Sequence, residues 1–211
     1  MSEPTVYIVD DDPDMRDSLR WLLRTVGLRA LTFGSAEEFL RTPRPDGPSC
    51  LVLDVRMPGL GGLDLFEGLA ARGWRPPVLF ITAHADVPMA VRAMKSGAAE
   101  FLEKPFNGQV LLETVQRALR QDAARREGEA GRDDLRARHG TLTGKEREVL
   151  DLIREGRPNK EIAARLDITP RAVELRRASL MKKLGAGSLP ELVRLAIEAE
   201  ATADVAPPRP A

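Results

Sequence analysis

The sequence predicts an α/β fold, a doubly wound five-stranded parallel sheet, followed by a small all-α domain. Two patterns and a charge asymmetry predict it. Near-continuous apolar runs alternate with helical patterns through residues 1–120, as in a parallel sheet covered on both faces. From Thr143 onward the apolar period is purely helical. The net charge is zero, yet its distribution is uneven: residues 1–120 carry 14 Lys and Arg against 16 Asp and Glu. Between Arg157 and Lys183, eight basic residues (Arg157, Lys160, Arg165, Arg171, Arg176, Arg177, Lys182, Lys183) face only Glu161, Asp167 and Glu174. Two modules with different partners are expected.

The elements follow in order. Val6–Val9 is a buried strand ending in Asp10, Asp11 and Asp12. Met15, Leu19, Leu22 and Val26 recur at helical spacing, with Gly27 at the C-terminal cap. Leu28–Phe33 is a strand, and Ser35 with Glu38 is a capping box opening a short helix. Leu51–Leu53 ends in Asp54, Val78–Ile81 ends in Thr82, and Ala99–Leu102 is the last strand, before a helix over Val110–Leu119. Residues 121–140 read as a linker, a helical extension that frays at Gly128 and Gly131. Capping boxes at Thr143/Glu146 and Ser188/Glu191, a short helix from Asn159, and Thr169-Pro170 open the helices of the second domain, placed at 141–201. The tail 202–211 is Pro-rich and expected to be disordered.

Composition narrows the function. A hydrophobic content of 43% with 30% charged residues is ordinary for a soluble protein. No apolar run nears a membrane span of about 20 residues, and no signal-peptide pattern is present. The single Cys50 excludes an internal disulfide and fits a reducing, cytoplasmic setting. Two histidines and one cysteine are too few for a Zn site.

The acidic run poses an electrostatic problem, because adjacent carboxylates repel. Either a hard cation such as Mg2+ neutralises them, or the run is a solvated turn with Asp12 or Pro13 starting the helix. In open α/β sheets ligands bind beyond the carboxyl ends of the strands. Asp10, Asp11, Asp54, Thr82 and Lys104 all lie just past a strand end, at one predicted site. There Asp11 and Asp54 can hold Mg2+, with Asp54 as a nucleophile toward phosphorus, Lys104 as the cation and Thr82 as the hydroxyl donor. Singly, each residue also has an ordinary structural role: Asp54 as a turn cap, Thr82 as a strand-end cap, Lys104 as a surface lysine.

Taken together, Val9-Asp-Asp-Asp-Pro13, Leu53-Asp-Val-Arg-Met-Pro-Gly59, Ile81-Thr-Ala-His84 and Phe101-Leu-Glu-Lys-Pro-Phe106 make residues 4–120 resemble the receiver domains of two-component response regulators. The resemblance implies a flavodoxin-like receiver over residues 1–120. It implies Mg2+ bound by Asp10 through water, by Asp11 directly, by Asp54 and by the backbone carbonyl of Arg56. Asp54 becomes the phosphoacceptor, served by a sensor histidine kinase, and Thr82 and Phe101 form the switch. It also implies a cis Lys104-Pro105 bond, and dimerisation through a helix over residues 86–97 on phosphorylation. Arg56 and His84 flank the site and are expected to set how long the phosphoryl group survives.

Residues 142–200 resemble the LuxR/FixJ-type helix-turn-helix domain, through Leu142-Thr-Gly-Lys-Glu-Arg-Glu-Val-Leu150, Pro158-Asn-Lys-Glu-Ile-Ala163, Ile168-Thr-Pro-Arg-Ala-Val-Glu174 and Met181-Lys-Lys-Leu184. The recognition helix would be 170–184, burying Val173, Leu180 and Leu184 and presenting Arg171, Glu174, Leu175, Ala178 and Lys182 to double-stranded DNA. Glu174 can accept from cytosine, while Arg171, Lys182, Lys160 and Lys183 are phosphate candidates. Arg176 departs from the histidine common in this family, and can read guanine or add a phosphate contact. Helix 189–200 would join the DNA-bound dimer. The whole reads as a cytoplasmic transcription regulator that engages RNA polymerase and catalyses only its own phosphoryl transfer and dephosphorylation. A phosphorelay intermediate acting by protein contact is the alternative, and an aspartyl-phosphate phosphatase a more remote one.

Overall fold

The computed structural model describes residues 3–43, 45–83 and 86–203. The chain divides into two compact units, one up to Arg126 and one from Glu127.

In the first unit, β1 (Thr5–Val9), β2 (Arg29–Phe33), β3 (Ser49–Asp54), β4 (Val78–Thr82) and β5 (Glu100–Glu103) form one sheet in the order β2-β1-β3-β4-β5. All four pairings are parallel. Strand alternation divides the core. Tyr7, Val9, Leu51, Leu53 and Phe80 point to one face, where they meet Phe39 of α2 (Ala36–Phe39), Leu65, Phe66 and Leu69 of α3 (Gly62–Ala71), and Ala93 of α4 (Val87–Lys95). Val6, Ile8, Val52, Leu79 and Ile81 point to the other, against Leu19 and Leu23 of α1 (Pro13–Thr25) and Leu111 and Val115 of α5 (Gly108–Gly140). Both faces are thereby dry, which explains the uninterrupted apolar runs.

The helix starts follow their local chemistry. Asp12 caps α1 by accepting from the Asp14 N–H, with Pro13 at the first helical position. The inward residues of α1 are Leu19 and Leu23, while Val26 is 41% exposed, so the expected apolar stripe is rotated at its C-terminal end. Of the three expected capping boxes, only Thr143/Glu146 closes on itself. Glu38 and Glu191 accept from the N–H of Gly34 and Gly187, one residue earlier than the box requires. Helix α3 was not singled out in the sequence, because Gly61, Gly62 and Gly68 weaken its helical signal.

The helical extension expected over 121–140 is present, but it does not fray at its glycines. Helix α5 continues through Gly128 and Gly131 to Gly140. Its residue Asp122 is fully buried in the first unit, accepting from the Ser49 N–H at 2.9 Å and from Arg126 Nε at 2.8 Å. Leu135 is buried in the core of the second unit. Two interior glycines cost a helix about 2 kcal/mol together, and these tertiary contacts outweigh that.

In the second unit, α6 (Gly144–Arg154), α7 (Asn159–Arg165), α8 (Pro170–Leu184) and α9 (Leu189–Ala203) pack around Val149, Leu150, Ile162, Val173, Leu180, Leu184 and Leu192. Thr169 caps α8 by accepting from the Ala172 N–H, with Pro170 next, and Gly185 closes it in the left-handed conformation. Residues 204–211 of the expected tail lie outside the described residues.

Candidate functional site

The sheet order changes direction between β1 and β3, and the site forms at the carboxyl ends of those strands. Val9 pairs with Leu53, which sets Asp10 beside Asp54. Lys104, just past β5, donates from Nζ to Asp10 Oδ2 at 2.7 Å and to Asp54 Oδ1 at 2.9 Å. The remaining oxygens take backbone donors: Asp10 Oδ1 from the Asp12 N–H and Asp54 Oδ2 from the Arg56 N–H, both at 2.9 Å. Thr82 ends β4 and is buried, and its carbonyl accepts from the Lys104 N–H at 2.7 Å. Asp10, Asp11, Asp54, Arg56, Thr82 and Lys104 line one cleft of about 250 Å3. The acidic run is therefore divided. Asp10 is buried and paired with Lys104, Asp11 stands exposed at the rim, and Asp12 caps α1.

Burial pushes the Asp54 carboxyl above its ordinary pKa, against the hydrogen bond and charge of Lys104 and with help from the charge of Asp10. Burial also works to lower the Lys104 pKa, but Asp10 and Asp54 together outweigh it and hold the ammonium above its usual value. Lys104 is thereby favoured in its charged form, and Asp54 is more basic than an ordinary aspartate. The Lys104-Pro105 peptide bond is cis. Phe101 is half-buried on β5, its ring 6.4 Å from that of Phe80.

Three supports escaped the sequence reading. A Cβ on Gly62 would lie 2.1 Å from the Asp54 carbonyl oxygen, so only glycine lets α3 start against the end of β3. Glu37 Oε1 accepts from the Leu60 N–H at 3.1 Å, fastening the loop that follows Asp54. Arg16 Nη1 donates to the Asp10 carbonyl at 2.6 Å. The Gly61-Gly62 pair was the visible signal for the first, whereas the other two depend on contacts between elements. Arg56 is exposed and lies 3.9 Å from Asp86, the N-cap of α4, while His84 lies outside the described residues.

As for a metal, no cluster of three His, Cys, Asp or Glu side chains among the described residues is arranged to hold one. Mg2+ needs only one or two carboxylates and keeps its waters. Asp10, Asp11 and Asp54, all oxygen donors on one cleft, fit that requirement.

In the second unit, α8 buries Val173, Leu180 and Leu184 and exposes Arg171, Glu174, Leu175, Ala178 and Lys182. Arg171 pairs with Glu174 at 3.0 Å. Arg176 is half-buried and Lys160 exposed. Lys183 is engaged internally, donating to Glu146 Oε2 at 2.7 Å. Buried Glu146 also accepts from the Thr143 N–H at 2.8 Å and from Ser179 Oγ at 2.8 Å. Lys183 first, then these donors, hold its carboxyl down at about 2.

Residues 6–116 match the response regulator receiver domain, and residues 140–196 match the bacterial regulatory proteins of the luxR family. Nodulation protein W of Bradyrhizobium diazoefficiens is 46% identical over 190 residues, 90% of this chain and 84% of that protein. The transcriptional regulatory protein FixJ of Rhizobium meliloti is 44% identical over 197 residues, 93% of this chain and 97% of that protein. The solved structure of the response regulator StyR matches 93% of this chain and 100% of its own at 46% identity, with a TM-score of 0.87. Full-length FixJ from B. japonicum matches 95% and 99% at 43% identity, with a TM-score of 0.57. Among the described residues no helix is long and apolar enough to cross a membrane. With a receiver sheet carrying an aspartate–lysine cluster and a helix-turn-helix unit in one chain, the protein belongs to the FixJ-like DNA-binding response regulators.

Proposed function

We propose that Asp54 accepts a phosphoryl group from a sensor histidine kinase and that the receiver, residues 1–120, thereby controls DNA binding by residues 141–201. The observation that carries this is Lys104 Nζ within 2.9 Å of both Asp10 and Asp54 at the carboxyl edge of the sheet. An Asp54 oxygen attacks phosphorus, the bond from phosphorus to the donor histidine breaks, and the imidazole leaves with the electron pair. Lys104 balances the charge that gathers on the phosphoryl oxygens, and Thr82 offers its hydroxyl to one of them. When bound by Asp10, Asp11, Asp54 and the Arg56 carbonyl, Mg2+ supplies further charge neutralisation at the same oxygens. Loss of the phosphoryl group to water at the same site would be the receiver's own reaction, with Arg56 and His84 setting its rate.

The added charge of about −1.5 to −2 favours a second arrangement of Thr82, Phe101 and α4. Helix α4 supports the homodimer reading, since Val87 is 77% exposed and Met94 50% exposed. Paired second units then engage two half-sites in double-stranded DNA and act on RNA polymerase in the cytoplasm. On DNA, Glu174, Leu175, Arg176 and Ala178 face the groove and Arg171, Lys182 and Lys160 lie toward phosphates, while Lys183, a phosphate candidate by sequence, is tied to Glu146. The test is to treat full-length wild type and Asp54→Ala with acetyl phosphate and Mg2+, following mass, oligomeric state and genome-wide DNA binding. A phosphoryl adduct, dimerisation and occupied sites are expected in wild type alone. Equal DNA occupancy in both proteins would overturn phosphorylation control.

A further inference from the structure

Helix α4 is anchored more by charge than by burial. Of its nine residues only Ala93 is buried, whereas α3 buries Gly62, Leu63, Leu65, Phe66 and Leu69. Met89 adds a partly buried contact with the core. So little buried apolar surface holds a helix weakly. Arg92 supplies a different tie. It donates from Nε to Glu67 Oε1 at 3.0 Å, and from Nη2 to Glu67 Oε2 at 3.0 Å and Asp64 Oδ1 at 2.9 Å. Asp64 and Glu67 stand three residues apart on α3 and so share one of its faces. A single guanidinium fork thereby joins both carboxylates to α4, and its two bonds to Glu67 have the paired geometry that makes arginine–carboxylate contacts strong.

Two features give this cluster a regulatory reading. The first is its position on the helix. Val87, Val91 and Met94 recur at helical spacing along one exposed face of α4, and Arg92 leaves the helix on another side, toward α3. The cluster fixes α4 without occupying that apolar face. The second is the arrangement it fixes. Lys104 Nζ is bonded to the Asp54 carboxylate itself, the group that phosphoryl transfer would claim. Ion pairs made in this arrangement disfavour any other arrangement of α4 in which they are broken. Exposed pairs contribute little singly, but a forked network of three hydrogen bonds is the case in which they count.

Taking α4 as the homodimer face, on which this inference rests, we propose that Arg92, Asp64 and Glu67 form an ionic latch. The latch holds α4 in this arrangement and restrains homodimer formation until Asp54 is phosphorylated.

Sedimentation of the full chain provides the test. Wild type is compared with Arg92→Ala and with an Asp64→Asn/Glu67→Gln protein altered on α3 alone. Each is measured with and without acetyl phosphate and Mg2+, and the phosphoryl adduct is followed by mass. Before phosphorylation both variants should dimerise about three- to fivefold more tightly than wild type. Combining all the substitutions should add nothing beyond either variant, since one cluster is broken in both. The difference should close in about 1 M NaCl, where charges are screened beyond about 3 Å. Unchanged dimerisation in both variants, while wild type dimerises on phosphorylation, would overturn the latch and leave the homodimer reading intact. Weaker dimerisation of Arg92→Ala would overturn it too, by placing Arg92 in the interface. So would a gain that persists at high salt, which would assign the effect to packing. Wild type that carries the phosphoryl group yet stays monomeric would remove the homodimer reading, and the latch with it.

Discussion

Each unit contains a buried carboxylate clamped by a lysine, and the two are tuned in opposite directions. Asp54 meets Lys104 and one backbone N–H, and burial leaves its pKa raised. Glu146 meets Lys183, the Thr143 N–H and hydroxyl, and the Ser179 hydroxyl, and its pKa falls to about 2. Desolvation leads at Asp54, whereas at Glu146 the hydrogen bond from Lys183 leads and the other donors add to it. A carboxylate saturated with donors is a structural tie, here joining the start of α6 to α8. One left short of donors beside a cleft retains basicity for chemistry.

The largest expected effect tests the receiver half of that contrast. Lys104→Met leaves Asp10 and Asp54 together without their cation, and breaking a buried pair costs about 3–5 kcal/mol. Urea unfolding of the full chain at pH 7.5 with a chelator should read a loss near 3 kcal/mol. The loss should shrink when Mg2+ is added, and also at acid pH, where Asp54 protonates earlier than an ordinary aspartate. A loss independent of both conditions would mean that the lysine contributes by packing its stem alone.

Gly62→Ala comes next. A methyl group 2.1 Å from the Asp54 carbonyl oxygen forces the β3 end and α3 apart, and overpacking of this kind costs about 1–3 kcal/mol. The rate of phosphorylation by acetyl phosphate should drop more than stability implies, because the displaced residue is the proposed acceptor. An unchanged rate would show that α3 yields instead of β3.

These two positions mark what was legible in the sequence. Asp10, Asp54, Thr82 and Lys104 could be grouped because each follows an apolar strand, and parallel strands bring their carboxyl ends together. Gly62, Glu37 and Arg16 could not, since their roles depend on which helix or loop lies against which strand. The same limit applies to α5. Gly128 and Gly131 are local breakers, whereas the burial of Asp122 and Leu135 that carries the helix past them is tertiary. In the second unit the outward face of α8 followed from helical period, but the use of Lys183 by Glu146 was hidden, because a lysine on a basic helix reads the same whether it faces DNA or a buried acid.

Glu146→Gln probes the structural carboxylate. At pH 7 the loss of a charge-assisted bond to Lys183 should destabilise the second unit by about 2 kcal/mol. The pH dependence has a definite sign. A carboxyl whose folded pKa lies below its unfolded value, about 4.3, stabilises above that value and loses the contribution as pH falls toward 2. Asp54, with a raised folded pKa, has the opposite slope: its contribution declines as pH rises from the ordinary aspartate value through the raised one. Thermal melts of wild type and Glu146→Gln from pH 6 down to 2 should therefore converge. Parallel curves would remove Glu146 from the acid response.

The smallest effect concerns a third carboxylate, Glu174, whose pair with Arg171 at 3.0 Å is exposed on the outer face of α8. Exposed pairs contribute about 0–1 kcal/mol, so Arg171→Ala should change stability by less than about 0.5 kcal/mol. The proposed DNA role of Arg171 is where its effect is expected. Removing a phosphate contact weakens binding about equally on all sequences and lowers the salt slope by about 1. Removing only the restraint on Glu174 would leave the salt slope intact and change the preference at one base pair. Salt-dependent binding of phosphorylated wild type and Arg171→Ala to specific and scrambled duplexes separates these outcomes. Either result keeps the contrast with Glu146, since a carboxylate held by one exposed arginine is free to exchange that partner for a base, and one held by Lys183, Ser179 and Thr143 is not.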